Sequence, residues 1–217
     1  MLPKSNHLKP RKTPVQRRSA HTVDAIYEAT IQVLLVQGAE KLTTTKVADR
    51  AGVSVGSLYQ YFGDKQSLLS AVLEKHLVEV TEHVDLACQE NRGKPLKQMT
   101  YALIQAFFDA KFSDSEASKA LYSIASGIEG QQMVTTLMQR SQASICGLIT
   151  SVPDAHFEDP ITATFIISTA MIGPVQALLA MDAPVEYQKK TCEHLSNMAY
   201  GYLRDNAKLV PLNLNQR

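Results

Sequence analysis

Hydroxyl-bearing side chains are concentrated between positions 43 and 61 of this 217-residue sequence. Three consecutive threonines open the stretch, and Ser54, Ser57, Tyr59 and Tyr61 follow at spacings of two or three residues. Hydroxyl groups of this kind donate hydrogen bonds to phosphate oxygens and to the edges of bases. Lys65 adds a cation shortly afterwards. The stretch therefore offers neutral hydrogen-bonding groups followed by one cation.

The sequence gives little indication of an enzyme. The sequence contains no phosphate-binding loop, no His-Glu-x-x-His and no Gly-x-Gly-x-x-Gly. We therefore predict that the protein is not an enzyme and needs no cofactor. An enzyme that uses the helical body as its active site remains an alternative.

Two short helical patterns carry the hydroxyls, one on each side of Gly52. Glycine accepts the positive φ that a tight exit from a helix needs. A hydroxyl of Thr43 or Thr44 is expected to cap the first helix, and Ser54 the second. The inward faces are apolar at helical spacing, with Val47, Ala48 and Ala51 in the first helix and Leu58 and Phe62 in the second. Such short helices are unstable alone, so neighbouring helices must hold them.

Longer helical patterns flank the pair and can supply that support. One covers residues 19–37 and ends at Gly38, and the other covers 65–88 with Asp64 as its cap. Two short helices joined by a glycine turn form a helix-turn-helix, which presents the start of its second helix to the major groove of DNA.

The residues from Thr43 to Lys65 read Thr-Thr-x-x-Val-Ala-x-x-Ala-Gly-Val-Ser-x-Gly-Ser-Leu-Tyr-x-Tyr-Phe-x-x-Lys. This run resembles the DNA-binding head of TetR-type (tetracycline-repressor-like) transcriptional regulators. The resemblance extends from about residue 18 to about residue 76. Beyond that range only a general pattern of helices matches.

The resemblance implies that Thr44, Tyr59, Tyr61 and Lys65 reach phosphates. Base readout would then rest on serine hydroxyls, on Val55 against a thymine methyl group, on Gln60 and on DNA shape. No Arg or Lys lies between positions 54 and 61, so a bidentate guanine contact is not expected there. The family often has a larger residue near Val55, so sequence preference is not carried over. The full set of candidate DNA contacts is Thr43, Thr44, Thr45, Ser54, Val55, Gly56, Ser57, Tyr59, Gln60, Tyr61 and Lys65.

Charge is unevenly distributed, although the net charge is only +1. Residues 1–65 hold ten Lys and Arg against five Asp and Glu, whereas residues 66–217 hold twelve against sixteen. Residues 1–18 hold six basic residues, three prolines and no acid. We interpret this segment as a basic arm that contacts DNA, with a solvated tail as the alternative.

Five further helical patterns follow a turn cluster at 91–95, and no strand is expected. They cover 96–111, 115–127, 131–151, 161–181 and 186–204. The fold class is therefore all-α, with an N-terminal three-helix helix-turn-helix head and a C-terminal helical ligand-binding and dimerisation body. The expected divisions are an arm at 1–18, a head at 19–64 with its motif at 43–62, a linking helix at 65–88, a body at 89–207 and a tail at 208–217.

The pattern at 161–181 is apolar on nearly every side. We reject a transmembrane span because of its Ser, Thr and Gln content, its central Gly173-Pro174 and the lack of a basic flank. A helix of this kind in a soluble chain is buried against its own core and a second subunit. Helices 161–181 and 186–204 are therefore expected to form a homodimer interface. A membrane-associated adaptor is the remote alternative.

A small effector is the second implied partner besides double-stranded DNA. Resembled proteins enclose one among the body helices, and the candidate lining residues here are Tyr101, Gln105, Phe108, Tyr122, Met133 and Met138. Such a lining favours an apolar or aromatic molecule, although each residue could instead be plain core. His76, Glu79 and His83 lie on one helix face and leave a metal site open, but no fourth ligand is evident and none is predicted.

Three widely spaced cysteines, Cys88, Cys146 and Cys192, indicate neither a disulfide framework nor a zinc finger. They are expected to be packing residues, with a redox switch as the alternative. No apolar segment follows the basic N-terminus, so we expect a cytoplasmic protein. The sequence predicts a dimeric repressor that an effector releases from a palindromic operator. An activator or a nonspecific DNA-binding protein of the same fold remains open.

Overall fold

Helices make up most of residues 17–125 and 128–211, which are the residues that this computed structural model describes. The all-α expectation is confirmed. The helices are α1 (Arg17–Lys41), α2 (Thr44–Ala51), α3 (Val55–Tyr61), α4 (Lys65–Glu90), α5 (Leu96–Phe112), α6 (Ser115–Ala125), α7 (Ile128–Ile149), α8 (Pro160–Ala170), α9 (Ile172–Ala180) and α10 (Val185–Asp205). Two short strands are β1 (Ala155–His156) and β2 (Lys208–Leu209). The predicted basic arm at 1–18 lies outside the described residues, apart from its last two positions.

The chain separates into two compact units. The first runs to Leu77 and also includes Glu116–Val134, and the second comprises Val78–Ser115 and the chain from Thr135 onward. The grouping of Glu116–Val134 with the N-terminal helices is a finding that the sequence pattern does not indicate.

The first unit is built around a contiguous apolar core. The side chains of Ile26, Val47, Leu58 and Phe62 are each no more than 1% exposed, and they bring α1, α2 and α3 together. Leu121 from α6 joins the same cluster. Burial of such side chains is worth about 1.5–3 kcal/mol each, so the two short helices owe their stability to this packing.

Helix α1 has a break that the sequence pattern predicts. Gly38 adopts φ 75° and ψ 166°, so the regular helix ends there and a short turn leads to Lys41. The backbone then enters α2, whose cap is Thr43.

A reciprocal capping pair starts α4, as expected for Asp64. The Ser67 amide donates to Asp64 Oδ1 over 2.7 Å, and the Asp64 amide donates to Ser67 Oγ over 3.0 Å. Two free amides of the first turn are thereby satisfied, which fixes where the long helix begins.

In the second unit, α5 packs along α10. Asp154, in the loop before β1, accepts a hydrogen bond from the Leu96 amide at the start of α5 over 2.8 Å. Pro95 precedes that helix and provides no side-chain cap, so Asp154 takes over the capping role.

Two expectations about this unit were wrong. Strands β1 and β2 pair antiparallel, with Ala155 opposite Leu209 and His156 opposite Lys208, so part of the predicted tail at 208–217 is held to the body. Strands of two residues show no alternation that could predict them. The expected single helix at 161–181 is divided at Met171 into α8 and α9. Pro174 has no amide hydrogen to donate to the carbonyl of Ala170, which interrupts the hydrogen-bond ladder.

Among the described residues, the segment Pro160–Ala180 is long and apolar enough to cross a membrane by length and composition alone. Within its most apolar part, 44% is buried inside the structure. Core helices of globular proteins meet the same criteria, so this is weak evidence for a span.

Candidate nucleic-acid interface

Two side-chain caps fix where α2 and α3 begin, and one glycine fixes where α2 ends. Thr43 Oγ1 accepts from the Lys46 amide at 3.3 Å, and Ser54 Oγ accepts from the Ser57 amide at 3.0 Å. Gly52 closes α2 in the left-handed region, with φ 69°. The predicted caps and the predicted exit glycine are therefore confirmed. Because both ends of the turn are fixed, the direction in which α3 leaves it is fixed as well.

A hydroxyl pair joins the two helices on their outer side. Thr44 Oγ1 and Tyr59 Oη lie 3.0 Å apart, within hydrogen-bonding distance. Thr44 is 8% exposed, whereas Tyr59 is 40% exposed. Each hydroxyl has one hydrogen to donate, and the pair uses one of them internally. When Thr44 donates to Tyr59, the exposed tyrosine hydroxyl keeps its own hydrogen for an acceptor such as a phosphate oxygen.

Basic side chains near the motif are bonded to backbone or amide groups. Lys65 Nζ donates to the carbonyl of Glu40 at 3.2 Å, and Lys46 Nζ donates to the carbonyl of Lys41 at 3.0 Å and to Gln37. Arg50 Nε donates to Gln32 Oε1 at 2.5 Å. The hydrogen bonds hold these side chains in place. Because the partners are neutral, the positive charges are not compensated and can still attract an anion.

The predicted base-reading residues differ in accessibility. Ser54, Gly56 and Gln60 are exposed, whereas Val55 and Ser57 are half-buried. Ser57 Oγ lies 2.8 Å from Ser54 Oγ, so the two hydroxyls form one linked polar group at the start of α3.

The remaining predicted contacts have varied surroundings. Thr43 and Thr45 are exposed, and Lys65 is half-buried. Tyr61 is half-buried and lies against Phe62, with 6.4 Å between the ring centroids. None of these side chains is sealed inside the first unit, so each retains some accessible surface.

Gly52–Gly56 satisfies the letter pattern Gly-x-Ser-x-Gly, which in hydrolases marks a serine nucleophile. That motif requires a strand followed by a sharp turn into a helix, whereas here a helix precedes the turn. Ser54 accepts the helix-capping hydrogen bond described above. The pattern therefore belongs to the helix-turn-helix.

The metal alternative gains no support from the described part of the chain, where no group of three His, Cys, Asp or Glu side chains is arranged to hold an ion. His76 is buried, and its Nε2 lies 3.2 Å from Ser118 Oγ. His83 Nδ1 lies 2.8 Å from the carbonyl of Glu79 one turn earlier.

A groove between α5 and α10 lies within the second unit. Tyr101, Gln105 and Phe108, three of the six predicted effector contacts, line it. Tyr122 and Met133 belong to the first unit, and Met138 is half-buried on α7 in the second. Of the six candidates, the structure thus brings together only the three that lie on the face of α5 that lines the groove.

Sequence reasoning missed several other residues that line the groove. They are Ala102, Asp109, Phe112, Val185, Gln188, Lys189, Cys192, Glu193 and Ser196. The spacing of 101, 105, 108 and 112 along α5 could have indicated Phe112. The α10 residues could not be found this way because pairing α10 with α5 depends on long-range packing.

Burial is the main cause of the pKa shifts of Cys88, Cys192 and Lys111 in the second unit. Burial is the main reason that the pKa of the Cys88 thiol rises to about 12 and that of Cys192 to about 11, and Asp85 and Asp109 add to the respective shifts. These thiols are therefore protonated at neutral pH, which gives no support to a redox switch at these two positions. Burial also lowers the pKa of Lys111 to about 8.

Two family models match the chain. Residues 26–72 match the bacterial regulatory proteins of the tetR family, and residues 95–203 match the tetracyclin repressor-like C-terminal domain. The second match alone covers half of the chain.

Curated relatives are similar to this chain over about half of their own length. FasR of Mycolicibacterium smegmatis, an HTH-type transcriptional activator, is 32% identical over 94 residues, 43% of this chain and 42% of that protein. BetI of Stenotrophomonas maltophilia, an HTH-type transcriptional regulator, is 31% identical over 93 residues, 43% of this chain and 45% of that protein. The regulator SAR0097 of Staphylococcus aureus is 29% identical over 99 residues, 44% of this chain and 51% of that protein. The chain spans about half the length of the curated relatives it matches.

Solved structures share the fold over most of the chain. A TetR family transcription regulator from Marinobacter aquaeolei has a TM-score of 0.65 and 20% identity, covering 88% of this chain and 97% of that one. SmeT, the repressor of the Stenotrophomonas maltophilia multidrug efflux pump SmeDEF, has a TM-score of 0.65 and 16% identity, covering 90% of this chain and 98% of that one. SmeT has also been solved in complex with triclosan.

Proposed function

Because the chain belongs to the TetR family of bacterial regulatory proteins, we propose that it is a homodimeric, cytoplasmic repressor that a small effector releases from a palindromic operator. The observation that carries the DNA-binding part is the exposed Tyr59, whose hydroxyl is held by buried Thr44 on a capped helix-turn-helix. The proposed functional parts are a head at 19–64, a linking helix at 65–88 and an effector-binding and dimerisation body at 89–207. The proposed role does not include catalysis.

Phosphate contacts in this proposal come from Thr44, Tyr59, Tyr61 and Lys65. Thr43 and Thr45 lie at the same end of α2. The linked hydroxyls of Ser54 and Ser57 face base edges in this proposal. A hydroxyl can donate a hydrogen bond to a base acceptor or accept one from a base donor.

Readout of bases would also use the rest of α3. Val55 would contact a thymine methyl group, and Gln60 would reach an adenine edge. Since α3 offers no cation to guanine, specificity would depend strongly on DNA shape.

Dimerisation is supported by an exposed apolar surface on the second unit. Ile161 and Phe165 on α8 are 75% and 53% exposed, and Tyr187 and Met198 on α10 are 52% and 54% exposed. Tyr187, His194 and Met198 are separated by seven and four residues and so share one face of α10. Exposed apolar side chains of this kind often mark a subunit interface.

Two copies related by a twofold axis would place two α3 helices about 34 Å apart, or a somewhat larger separation of similar order, in successive major grooves. An effector that favours a different spacing by about 1–3 kcal/mol would lower operator occupancy about 5- to 150-fold.

Activation of transcription is the second candidate, because FasR is described as an activator. The geometry of DNA binding is the same for both roles. A reporter gene placed behind the bound site distinguishes them, since deletion of the regulator raises expression if it represses and lowers expression if it activates.

Selection from a library of random duplexes tests the DNA-binding proposal. The purified chain should enrich two inverted half-sites, one helical turn or slightly more apart. A chain with Ser57→Ala should enrich different half-sites, whereas Glu186→Gln, on α10, should enrich the same ones. Recovery of unrelated sequences at low ionic strength would contradict the proposal of a specific operator.

A further inference from the structure

The groove between α5 and α10 has an aromatic base. It encloses about 580 Å³, which is within the range of small-molecule sites. Phe108 is buried and stacks on Phe112 with 5.7 Å between the ring centroids. Tyr101 lies at the same groove and donates its hydroxyl hydrogen to Asn197, which fixes its ring. Three aromatic rings therefore border a space open to solvent.

Carboxylates stand on both walls of this groove. Asp109 lies on α5 and Glu193 on α10, and both are exposed. Gln105 Nε2 donates to Asp109 Oδ1 over 2.8 Å, which holds that carboxylate in place. Lys189 is the one cationic side chain among the described lining residues. The two carboxylates thus lie beside aromatic rings, and Lys97 Nζ lies 5.7 Å from the centroid of the Tyr101 ring.

The negative charge acts on a group inside the groove. Cys192 is buried there, and its thiol lies 3.5 Å from Gln105 Oε1. Burial and the nearby carboxylate of Asp109 together raise the pKa of this thiol. The Asp109 carboxylate, which disfavours a thiolate, would favour a positive ligand nearby, whereas burial opposes any charge at that place. Since the thiol stays protonated, the groove is suited to reversible binding and not to covalent attack.

From this arrangement we propose that the groove binds a small organic cation, an alkylated ammonium ion with an aromatic or aliphatic substituent. Aromatic faces attract such cations through their quadrupoles, and the two carboxylates compensate the charge. The apolar substituent would lie over Phe108 and Phe112. This assignment rests on the proposed function, since it makes the organic cation the effector.

The groove also stays accessible in the proposed dimer. Gln188, Cys192 and Ser196 recur every four residues and line the groove along one face of α10. Tyr187, His194 and Met198 lie on the opposite face of the same helix, where the second copy is expected to bind. Dimerisation through that face leaves the groove open.

Binding of benzyltrimethylammonium, with neopentylbenzene as its neutral carbon isostere, tests the proposal. Isothermal titration calorimetry on the full chain should detect the cation, and the isostere should compete at least tenfold less well. Asp109→Asn and Glu193→Gln should each weaken cation binding about tenfold and leave competition by the isostere unchanged. Lys189→Met should strengthen cation binding.

Glu186→Gln is the matched control, because Glu186 is an exposed acid on α10 that does not line the groove. It should leave the affinity for the cation unchanged. Equal binding of cation and isostere, or an equal loss from Glu186→Gln and Glu193→Gln, would overturn the proposed ligand class.

Titration of the cation into a preformed complex of the chain with duplex DNA separates this inference from the proposed function. Release of DNA supports both. Binding of the cation without release of DNA overturns its assignment as effector and leaves the DNA-binding proposal standing. Binding of the cation by a chain that binds no DNA overturns the proposed function and leaves the groove's ligand class standing.

Discussion

The hydroxyls of Thr44 and Tyr59 lie 3.0 Å apart and join the first turn of α2 to the middle of α3. Thr44 is mostly buried, and Tyr59 reaches the surface. When Thr44 donates to Tyr59, the exposed tyrosine hydroxyl presents a single donor whose oxygen is held by both helices. A donor fixed in this way loses little freedom when it binds a phosphate oxygen.

Tyr59→Phe should weaken binding about tenfold to every duplex, because it removes one hydrogen bond to a charged group, worth about 1.5 kcal/mol, without touching a base. Fluorescence anisotropy with an operator and with an unrelated duplex measures both affinities. Tyr27→Phe, at a tyrosine that packs against Phe62 in the same unit, is the control and should change neither. A change in the preferred site with Tyr59→Phe would show that the hydroxyl reads bases.

Gly52→Ala should destabilise the head by about 1 kcal/mol, because alanine is strained at φ 69°. The added methyl group would meet no atom within 4 Å, so the cost comes from the backbone alone. Gly56→Ala is the matched control within α3, where the new Cβ would lie 3.8 Å from Ser54 Oγ, an ordinary contact. It should stabilise by about 0.5–1 kcal/mol. Equal urea midpoints for the two variants would contradict this account of the turn.

Lys111→Met should remove a rise of stability with pH, because burial disfavours the ammonium group of Lys111 in the folded state. Its pKa is lowered from 10.5 to about 8, so the unfolded chain binds more protons between these two values. Stability of the native protein should therefore rise with pH across that window.

Urea unfolding at pH 7 and at higher pH measures this effect. The rise contributed by Lys111 should be absent from Lys111→Met and retained in Lys190→Met, since Lys190 is an exposed lysine on α10. A rise of the same size in both variants would mean that another group causes it.

Phe165→Asp should convert a dimer into a monomer, because it places a charge within the exposed apolar surface of α8. Sedimentation velocity would detect the change. Loss of the second head should also weaken operator binding by at least about 100-fold. Leu86→Asp, at an exposed leucine on α4, is the control and should leave the dimer intact. Persistence of the dimer in Phe165→Asp would place the interface elsewhere.

Local patterns were enough to predict the head. Thr43, Gly52, Ser54 and Asp64 act on residues within three or four positions of themselves, so their roles follow from sequence spacing alone. The break at Met171 also has a local cause, since Pro174 lies three residues later, but the apolar run around it hides the interruption.

Long-range pairings could not be predicted. Asp154 caps α5 from 58 positions away, and Cys192 meets Gln105 across 87 positions. No periodicity within either segment encodes such a partner, because the pairing depends on how whole helices pack. For the same reason the sequence suggested an apolar or aromatic effector from residues of α5, α6 and α7, and it missed Glu193 on α10.

The most direct test of the central claim is a salt titration of binding between the full chain and duplex DNA from the region beside its own coding sequence. The DNA-binding account predicts tight binding at low ionic strength and a logarithm of affinity that falls linearly with the logarithm of salt concentration, with a slope of about −0.9 for each phosphate neutralised. Removal of residues 1–16 should make that slope shallower if the basic arm contacts phosphates. Failure to bind any duplex at low ionic strength would contradict the account.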